Sequence, residues 1–486
     1  MIAYKRGMCL TELLAQMAIN TSWEEITPAA VEACKKVILD TIGVAIAGWS
    51  APGIQGTVRQ MQKWGGRNEA TVLVCGSQVP APNAACANGM MIHALDYDDV
   101  HDPASLHLMS VIFPAVLAAA EKVNASGQQI LAGTILGVEA AARIGMIYNR
   151  RRDGCQGRGF MPTTVIGGFG AAAAACRLFG YSVDQTVHAL GINYAQAGGN
   201  RQGLLEKTLT KRLQPGFAAR SALWATSLAG RGLTGPEHVF EGEAGLFSIY
   251  IGAKPPEPEE ITRKRDFFEM ERVSIKRFSC CGVAHPVMQA AIDLAQEHNL
   301  TRESLKDVCI YFFEGGKGGP YGENLVGGPF EMGSDPQVNA QFCAPYGVAL
   351  GLLRRKAGLA EFTNERIRQD TEVAELARRV RILTEVENPP VTKRIHDDFR
   401  EHTDMPSLLL VRTTDGRELR KVYTMRDLLD PKRMSTTDVI AKFQACAEFS
   451  GICRPRKCEE IVTAVRDLDR CRGAAEFMRC CVLQPS

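Results

Sequence analysis

The chain has 486 residues, 45% of them hydrophobic and 23% charged, with a formal net charge of +2. That length suffices for roughly two to four domains and a large core. The near-neutral balance gives no global attraction to nucleic acid or to a membrane surface, so any preference for an anion must come from local arginines and lysines.

Sixteen cysteines are only about 3% of the residues, and no Cys-x-x-Cys pair occurs. That is too sparse for a disulfide framework and argues against zinc ribbons, so reduced thiols in an intracellular compartment are expected. Met1-Ile-Ala-Tyr-Lys-Arg has no apolar stretch behind it before Glu12, unlike a secretory signal. The least charged run, Met161 to Cys176, is too short and too weakly apolar to span a bilayer. A soluble, cytoplasmic protein is expected, with a mitochondrial address left open.

In chain order, Leu10 to Gly48 reads as two helices. Thr27-Pro28 starts the second, with proline at a first-turn position, and Val31, Ala33, Val37, Ile38 and Ile42 recur at helical spacing. From Asn83 to Gly230 helix formers dominate, with alanine-rich windows at Ala115–Lys122, Ala140–Ile147 and Gly167–Leu178 that let helix axes approach closely. Glycine-rich joints at Gly154–Gly159 and Gly198–Gly203 interrupt them. Lys254-Pro-Pro-Glu-Pro-Glu-Glu reads as a linker that cannot stay helical. Beyond it come a strand at Val308–Phe313, a glycine-rich loop at Gly315–Gly328 and a helix near Ala344–Arg355. Leu408–Val411 followed by Thr414-Asp-Gly-Arg signals a hairpin. After Met434, helices are expected at Asp438–Ala447, Cys458–Val465 and Ala474–Met478. The fold class is therefore mainly α. A large all-helical domain (residues 1–272) carries an inserted smaller α+β domain (273–425), and C-terminal helices (426–486) return to the first.

Four stretches carry chemistry. His93 to His107 packs four carboxylates (Asp96, Asp98, Asp99, Asp102) and three imidazoles (His93, His101, His107) between two apolar segments. Such a knot is either a solvated turn capping two helices or a reacting centre, because burying it demands internal hydrogen bonds. Gly157-Arg-Gly-Phe-Met-Pro-Thr-Thr164 precedes a glycine- and alanine-rich helix that Thr163 and Thr164 would cap, and its free N–H groups suit an anion. Lys211-Arg212 precedes Pro215-Gly216; such a pair is more often a solvated face. Lys276 and Cys280-Cys281-Gly-Val-Ala-His285 follow the linker, and the vicinal cysteines are read as packing rather than redox. Tyr321 could reach a ligand from its loop, although a plain loop tyrosine is favoured. Together the stretches offer acid/base groups and cations for a small di- or tricarboxylate.

In this order the stretches resemble the MmgE/PrpD family, which includes 2-methylcitrate dehydratase, cis-aconitate decarboxylase and iminodisuccinate epimerase. The resemblance rests on Leu39-Asp-Thr-Ile-Gly-Val-Ala-Ile-Ala-Gly48, Leu95-Asp-Tyr-Asp-Asp with His107, the Gly168-Phe-Gly-Ala helix, Lys211 with Gly216-Phe-Ala-Ala-Arg220, and Lys276 with Cys-Cys-Gly and His285. It implies a homodimer, a helical domain with an α+β lid, a site between them, and no metal or organic cofactor. By position, Asp96, His107, Lys211 and Lys276 match residues lining the family's site, while Cys281 and His285 match its lid motif. One departure matters: where many relatives carry histidine in Gly-Phe/Trp-His-Pro-Thr, this chain has Met161, and a thioether transfers no proton. Val100 also replaces a hydrogen-bonding residue seen in some relatives.

The expected activity is cofactor-independent dehydration of 2-methylcitrate or a longer 2-alkylcitrate. Lys211 and Lys276 would serve as electrostatic partners, and His107 as acid/base, oriented by a carboxylate of Asp96 or Asp102. Asp102, Thr163, Arg212, Cys281, His285 and Tyr321 are the expected substrate-binding residues. Three alternatives stand beside this reading: decarboxylation of cis-aconitate to itaconate, epimerisation of an amino-dicarboxylate, and a catalytically silent member acting as a binding or accessory protein.

Overall fold

Helix starts in this chain are written in side chains that can accept a backbone N–H. The computed structural model describes residues 9–151, 159–263, 265–314, 317–318, 326–383, 406–431 and 434–483. Helix α1 (Leu10–Asn20) begins behind Cys9, whose sulfur accepts from the Glu12 N–H. Helix α2 (Pro28–Gly48) begins where Thr27 accepts from the Ala30 N–H and proline occupies the first turn, as the sequence predicts. Then follow α3 (Ile54–Trp64), strands β1 (Ala70–Thr71) and β2 (Gln78–Val79), α4 (Ala81–His93), β3 (Val100–His101), α5 (Met109–Val123), α6 (Gly127–Arg151), α7 (Pro162–Leu178), α8 (Val183–Tyr194), α9 (Gln202–Leu205) and α10 (Thr210–Ala229). The Pro/Glu stretch is helix-free only to Glu257. Pro258 then opens the short α11 (Pro258–Thr262), since proline is tolerated in a first turn. Next come β4 (Val273–Ser274), α12 (His285–Glu297), β5 (Leu305–Glu314), β6 (Lys317–Gly318), α13 (Pro336–Gln341), α14 (Ala344–Arg354), α15 (Asn364–Gln369), α16 (Thr371–Arg379), β7 (Arg381–Ile382), β8 (Pro406–Thr413), β9 (Glu418–Thr424) and α17 (Met425–Leu429). Helices α18 (Thr436–Ser450), α19 (Pro455–Arg466) and α20 (Ala474–Cys481) end the chain.

The chain divides into two compact units. The first is Met1–Leu205, Thr210–Ile275 and Met434–Ser486; the second is Glu206–Leu209 and Lys276–Arg433. In the first, α4 packs on α10 and α5, α7 packs on α5, α6 and α10, and α2 takes α18 along its length. Small residues set these distances. A Cβ on Gly170 would lie 2.3 Å from the Gly137 carbonyl oxygen and 2.9 Å from the Ala141 Cβ, so α6 and α7 meet backbone to backbone. Helix α6 is long and apolar enough to cross a membrane by composition, but its apolar window is wholly buried among these neighbours.

The first unit is not purely helical. β1 pairs with β2, and β3 pairs antiparallel with β4 (Val100 with Ser274, His101 with Val273). The second ladder exists because the polar knot is buried, and a buried backbone must find partners. In the second unit, β8 lies between β5 and β9, antiparallel to both, while β5 also pairs with β6 and, in parallel, with β7. The hairpin predicted from Thr414-Asp-Gly-Arg is thus present. Helix α12 packs on α14 and on the β8–β9 face. Tyr321, the core of the Gly315–Gly328 loop and Gly154–Arg158 lie outside the described residues. The described cysteines are all free thiols.

His101 anchors β3 from inside. Its Nε2–H donates to Glu269 Oε2 (2.9 Å), and its Nδ1 accepts the Ala104 N–H (3.3 Å), which is the pattern of a neutral ring. Burial, with Arg272 and Arg265 nearby, lowers its pKa to about 3 despite Glu139. The folded value lies below the unfolded value of about 6.5, so the unfolded chain takes the proton first. Stability is therefore full above about pH 6.5 and is lost as pH falls toward 3. His101→Gln, which cannot charge, should flatten that limb in a plot of urea midpoint against pH. An unchanged slope would assign the acid limb to other groups.

The helix contacts give a paired test. Gly170→Ala should lower the unfolding temperature, with a cost of about 1–3 kcal/mol or more from forced separation of α6 and α7. Gly56→Ala on exposed α3, where the nearest atom is the Arg59 side chain at 4.0 Å, should raise stability by about 0.5–1 kcal/mol. Thermal melts of both variants check the contrast.

Candidate active site

The knot that the sequence left open between solvated turn and reacting centre is buried. His93, Asp96, Asp98, Asp99, His101 and Asp102 are each under 5% exposed. It therefore holds itself together by hydrogen bonds rather than by water.

α4 delivers His93 at its last turn. Three residues later Asp96 sits at φ +50°, a left-handed conformation that costs a non-glycine residue energy and that aspartate tolerates better than most. There its carboxylate is ion-paired with Lys211 Nζ, from the first turn of α10. Lys211 Nζ also lies 2.7 Å from His93 Nε2, and His93 Nδ1 lies 2.7 Å from Asp98 Oδ2. The self-consistent assignment is an ammonium donating to a neutral His93, which in turn donates from Nδ1 to Asp98. Burial first, and Lys211 in support, lowers the His93 pKa against the pull of Asp98, which agrees with that assignment.

Asp99 closes the other side. Its carboxylate accepts the N–H groups of Leu108 (3.0 Å) and Met109 (3.1 Å), so it caps α5 from ten residues upstream. Burial and the neighbouring Asp98 charge drive its pKa well above the ordinary range, against those two N–H groups. Asp40 on α2 adds to this pressure. It pairs with Lys442 of α18 at 2.7 Å, and Lys442 also donates to the Tyr97 carbonyl (2.9 Å) with its charge over the Tyr97 ring. Burial nevertheless raises the Asp40 pKa.

His107 stands beside this network, half-buried, its ring centroid 5.0 Å from that of His93. Its Nδ1 lies 2.7 Å from the Asp99 backbone carbonyl, so Nδ1 carries the proton and Nε2 is the basic nitrogen of the ring. The group that orients the ring at Nδ1 is thus a backbone carbonyl of the knot. A carbonyl fixes the tautomer without adding a charge. The His107 N–H donates to Thr163 Oγ1 at 3.1 Å.

Other expectations shift as well. Thr163 and Thr164 do not cap α7. The cap position is Met161, with Pro162 in the first turn, so both threonines lie inside the helix. Thr163 instead holds the His107 backbone, and Thr164 Oγ1 donates to the Met161 carbonyl (3.0 Å). Lys211 and Arg212 form no solvated face, since both are buried; Arg212 donates to the Pro52 carbonyl at 3.3 Å. Asp102 is buried in a short helical turn behind His101. Val100 is taken into the β3–β4 ladder.

The structure thus brings together Asp96, His107, Thr163 and Lys211 of the expected residues, and adds His93, Asp98 and Asp99. The three additions were visible in the knot, but nothing in their spacing ranked them. Lys276, Cys281 and His285 belong to the second unit, where all three are buried. There the Cys281 N–H donates to the Gln341 carbonyl (2.9 Å), and His285 Nε2 lies 3.3 Å from the Cys280 carbonyl with its ring edge-on to Phe278. Cys280 Sγ is 3.3 Å from Met288 Sδ, a packing contact in line with the sequence reading of the vicinal pair. His93, Asp98 and His107 each present a ligand-type atom within 4.8 Å of the others. The Lys211 ammonium beside His93 opposes a cation there.

Chemically, the arrangement offers a fixed ammonium, an imidazole locked with Nε2 for proton transfer, and a buried acid network behind both. Known proteins of similar sequence share a theme. A cis-aconitate decarboxylase-like protein of Aspergillus oryzae is 30% identical over 288 residues, 56% of this chain and 59% of that protein. Cis-aconitate decarboxylases of Aspergillus terreus and Homo sapiens are 29% and 28% identical. Those matches cover 62% and 61% of this chain, and 63% and 61% of theirs. The chain thus matches about three-fifths of the length of these relatives. Residues 12–259 match the MmgE/PrpD N-terminal domain and residues 278–468 the MmgE/PrpD C-terminal domain. The chain belongs to the MmgE/PrpD family, and its named relatives are lyases.

Proposed function

We propose that the protein is a carboxy-lyase acting on a small unsaturated tricarboxylate of the cis-aconitate type. The observation that carries this reading is the buried Lys211 ammonium, tied to Asp96 and His93, beside a His107 whose Nδ1 is occupied by the Asp99 carbonyl. The names of the relatives favour decarboxylation over the dehydration that the sequence alone placed first.

In this reading the bond from a methylene carbon to its carboxylate breaks, and its electron pair becomes a new carbon–carbon double bond. The former double-bond pair moves to the neighbouring carbon, where the adjacent carboxylate shares the charge as an enediolate. Lys211 stabilises that charge, and protonated His107 Nε2 supplies the proton that completes itaconate. Carbon dioxide leaves. Asp96, His93 and Thr163 act as positioning groups: they hold the ammonium and the imidazole so that neither must reorganise as charge develops. For Lys276 the family resemblance supports an electrostatic role.

A second reading keeps the dehydration of 2-methylcitrate or a 2-alkylcitrate. Met161 favours it, because a half-buried thioether at the start of α7 suits an alkyl chain better than an imidazole would.

Purified protein incubated with cis-aconitate should release carbon dioxide and form itaconate. Alkylcitrate dehydration with cis-aconitate left intact would replace the first reading by the second, and racemisation of an amino-dicarboxylate alone would refute both. Lys211→Met should lower kcat about 10²–10³-fold, and His107→Gln about 10²–10⁴-fold. Wild-type-like turnover in either variant would remove that residue from the mechanism. Met161→His should change turnover less than about tenfold if His107 carries the proton step alone. A far larger gain would show that the native site has moved away from this chemistry.

A further inference from the structure

A second set of ligand-type side chains lies where the start of α1 meets the segment after α10 in the first unit. Cys9 stands directly before α1, and His238 and Glu241 sit in the turn that follows α10. The candidate ligand atoms of the three residues all lie within 4.8 Å of one another. None takes part in the network around Lys211 and His107.

Hydrogen bonding explains most of this group but not all of it. Cys9 Sγ accepts the Glu12 N–H (3.4 Å) and donates to the Glu237 carbonyl (3.5 Å). Glu241 Oε1 accepts the Leu10 N–H (3.1 Å) and lies 3.0 Å from His238 Nδ1. Glu241 Oε2 is buried and has no hydrogen-bond partner among the described residues. An orphaned carboxylate oxygen beside a thiol and an imidazole is what a cation would complete.

The group is also held in place. Val239 and Phe240 between the two ligands are buried, Phe240 packs on Phe169 with centroids 5.0 Å apart, and the Gly242 N–H closes the turn on the His238 carbonyl at 3.0 Å. Cys9 is fixed by α1 itself. The Glu12 N–H points at the sulfur and the Leu10 N–H at the Glu241 carboxylate, so the start of α1 fixes both groups.

We propose that Cys9, His238 and Glu241 form a site for a divalent transition ion, zinc by ligand preference, that pins the start of α1 to the turn after α10. Thiolate, imidazole and carboxylate are three ligands of a tetrahedral zinc site, with water as the fourth. Thiolate and carboxylate together offset the charge of the ion, and one proton leaves as the thiol ionises. The role is structural: an ion bound only by the folded chain stabilises it by mass action.

Cobalt serves as the probe. Full-length protein, stripped with chelator and kept reduced, should take up Co²⁺ with a thiolate-to-cobalt charge-transfer band in the near ultraviolet. Zn²⁺ should displace the cobalt and raise the unfolding temperature. Cys9→Ser should lose the band and weaken zinc by at least about tenfold, while keeping the helix cap, because a serine oxygen caps well. His238→Ala should weaken zinc by a similar factor. Absence of the band in wild type overturns the site. So does its survival in Cys9→Ser, which would place the metal on another thiol, such as the Cys453–Cys458 pair whose sulfurs lie 3.1 Å apart. Both variants should retain lyase turnover, and its loss would show that the group serves the active site instead.

Discussion

Among the carboxylates buried in one region of the first unit are Asp40, Asp96, Asp98 and Asp99, and the fold is arranged so that each of these has an answer. Burying an unpaired carboxylate costs more than a small domain has to spare. Lys211 answers Asp96, His93 answers Asp98, the open start of α5 answers Asp99, and Lys442 answers Asp40. These partners come from four helices spread over some 350 residues. The helix packing is therefore tied to the electrostatics: removing α10 or α18 would leave a charge stranded in the core.

The same pairing prepares the chemistry. Asp96 pairs with Lys211, and burial, with the Lys211 charge in support, lowers the His93 pKa. His93 is thus a spacer rather than a proton carrier, with both ring nitrogens committed. His107 differs in being only half-buried and in meeting a carbonyl instead of a carboxylate at Nδ1. A neutral partner orients the ring without placing a further charge against it. Two histidines with centroids 5.0 Å apart thus have different surroundings, one between a lysine and a carboxylate and one against a backbone carbonyl.

Local rules were legible in the sequence wherever the deciding groups are close in the chain. Thr27-Pro28 starts a helix because the threonine oxygen and the proline act within one turn. The Asp-Gly turn after Val411 makes a hairpin for the same reason. The knot announced itself by density of charge. Its inner assignment did not, because Asp99 works through a carbonyl and a distant helix start, and Lys442 is 345 residues from the Tyr97 carbonyl it binds. Adjacent Lys211 and Arg212 look like a solvated face until tertiary contacts bury both. Thr163 and Thr164 look like caps until Pro162 moves the helix start ahead of them.

Position 161 shows a residue whose structural duty is carried by its backbone alone. At the start of α7, Met161 contributes through its backbone. Its N–H donates to the Gly199 carbonyl, and its carbonyl accepts from the N–H groups of Thr164 and Val165 and from the Thr164 hydroxyl. Its side chain makes no capping hydrogen bond. Any residue with an extended backbone could fill that structural duty, so the exchange of an imidazole for a thioether costs α7 little. Two residues on, Thr163 still holds the His107 N–H, and the buried acid network still holds Lys211. Relative to the histidine that the family resemblance implies at this position, a thioether removes one group that could carry a proton. Family membership is carried by the scaffold, which position 161 serves through its backbone, whereas the reaction is carried by side chains that the scaffold leaves free to vary.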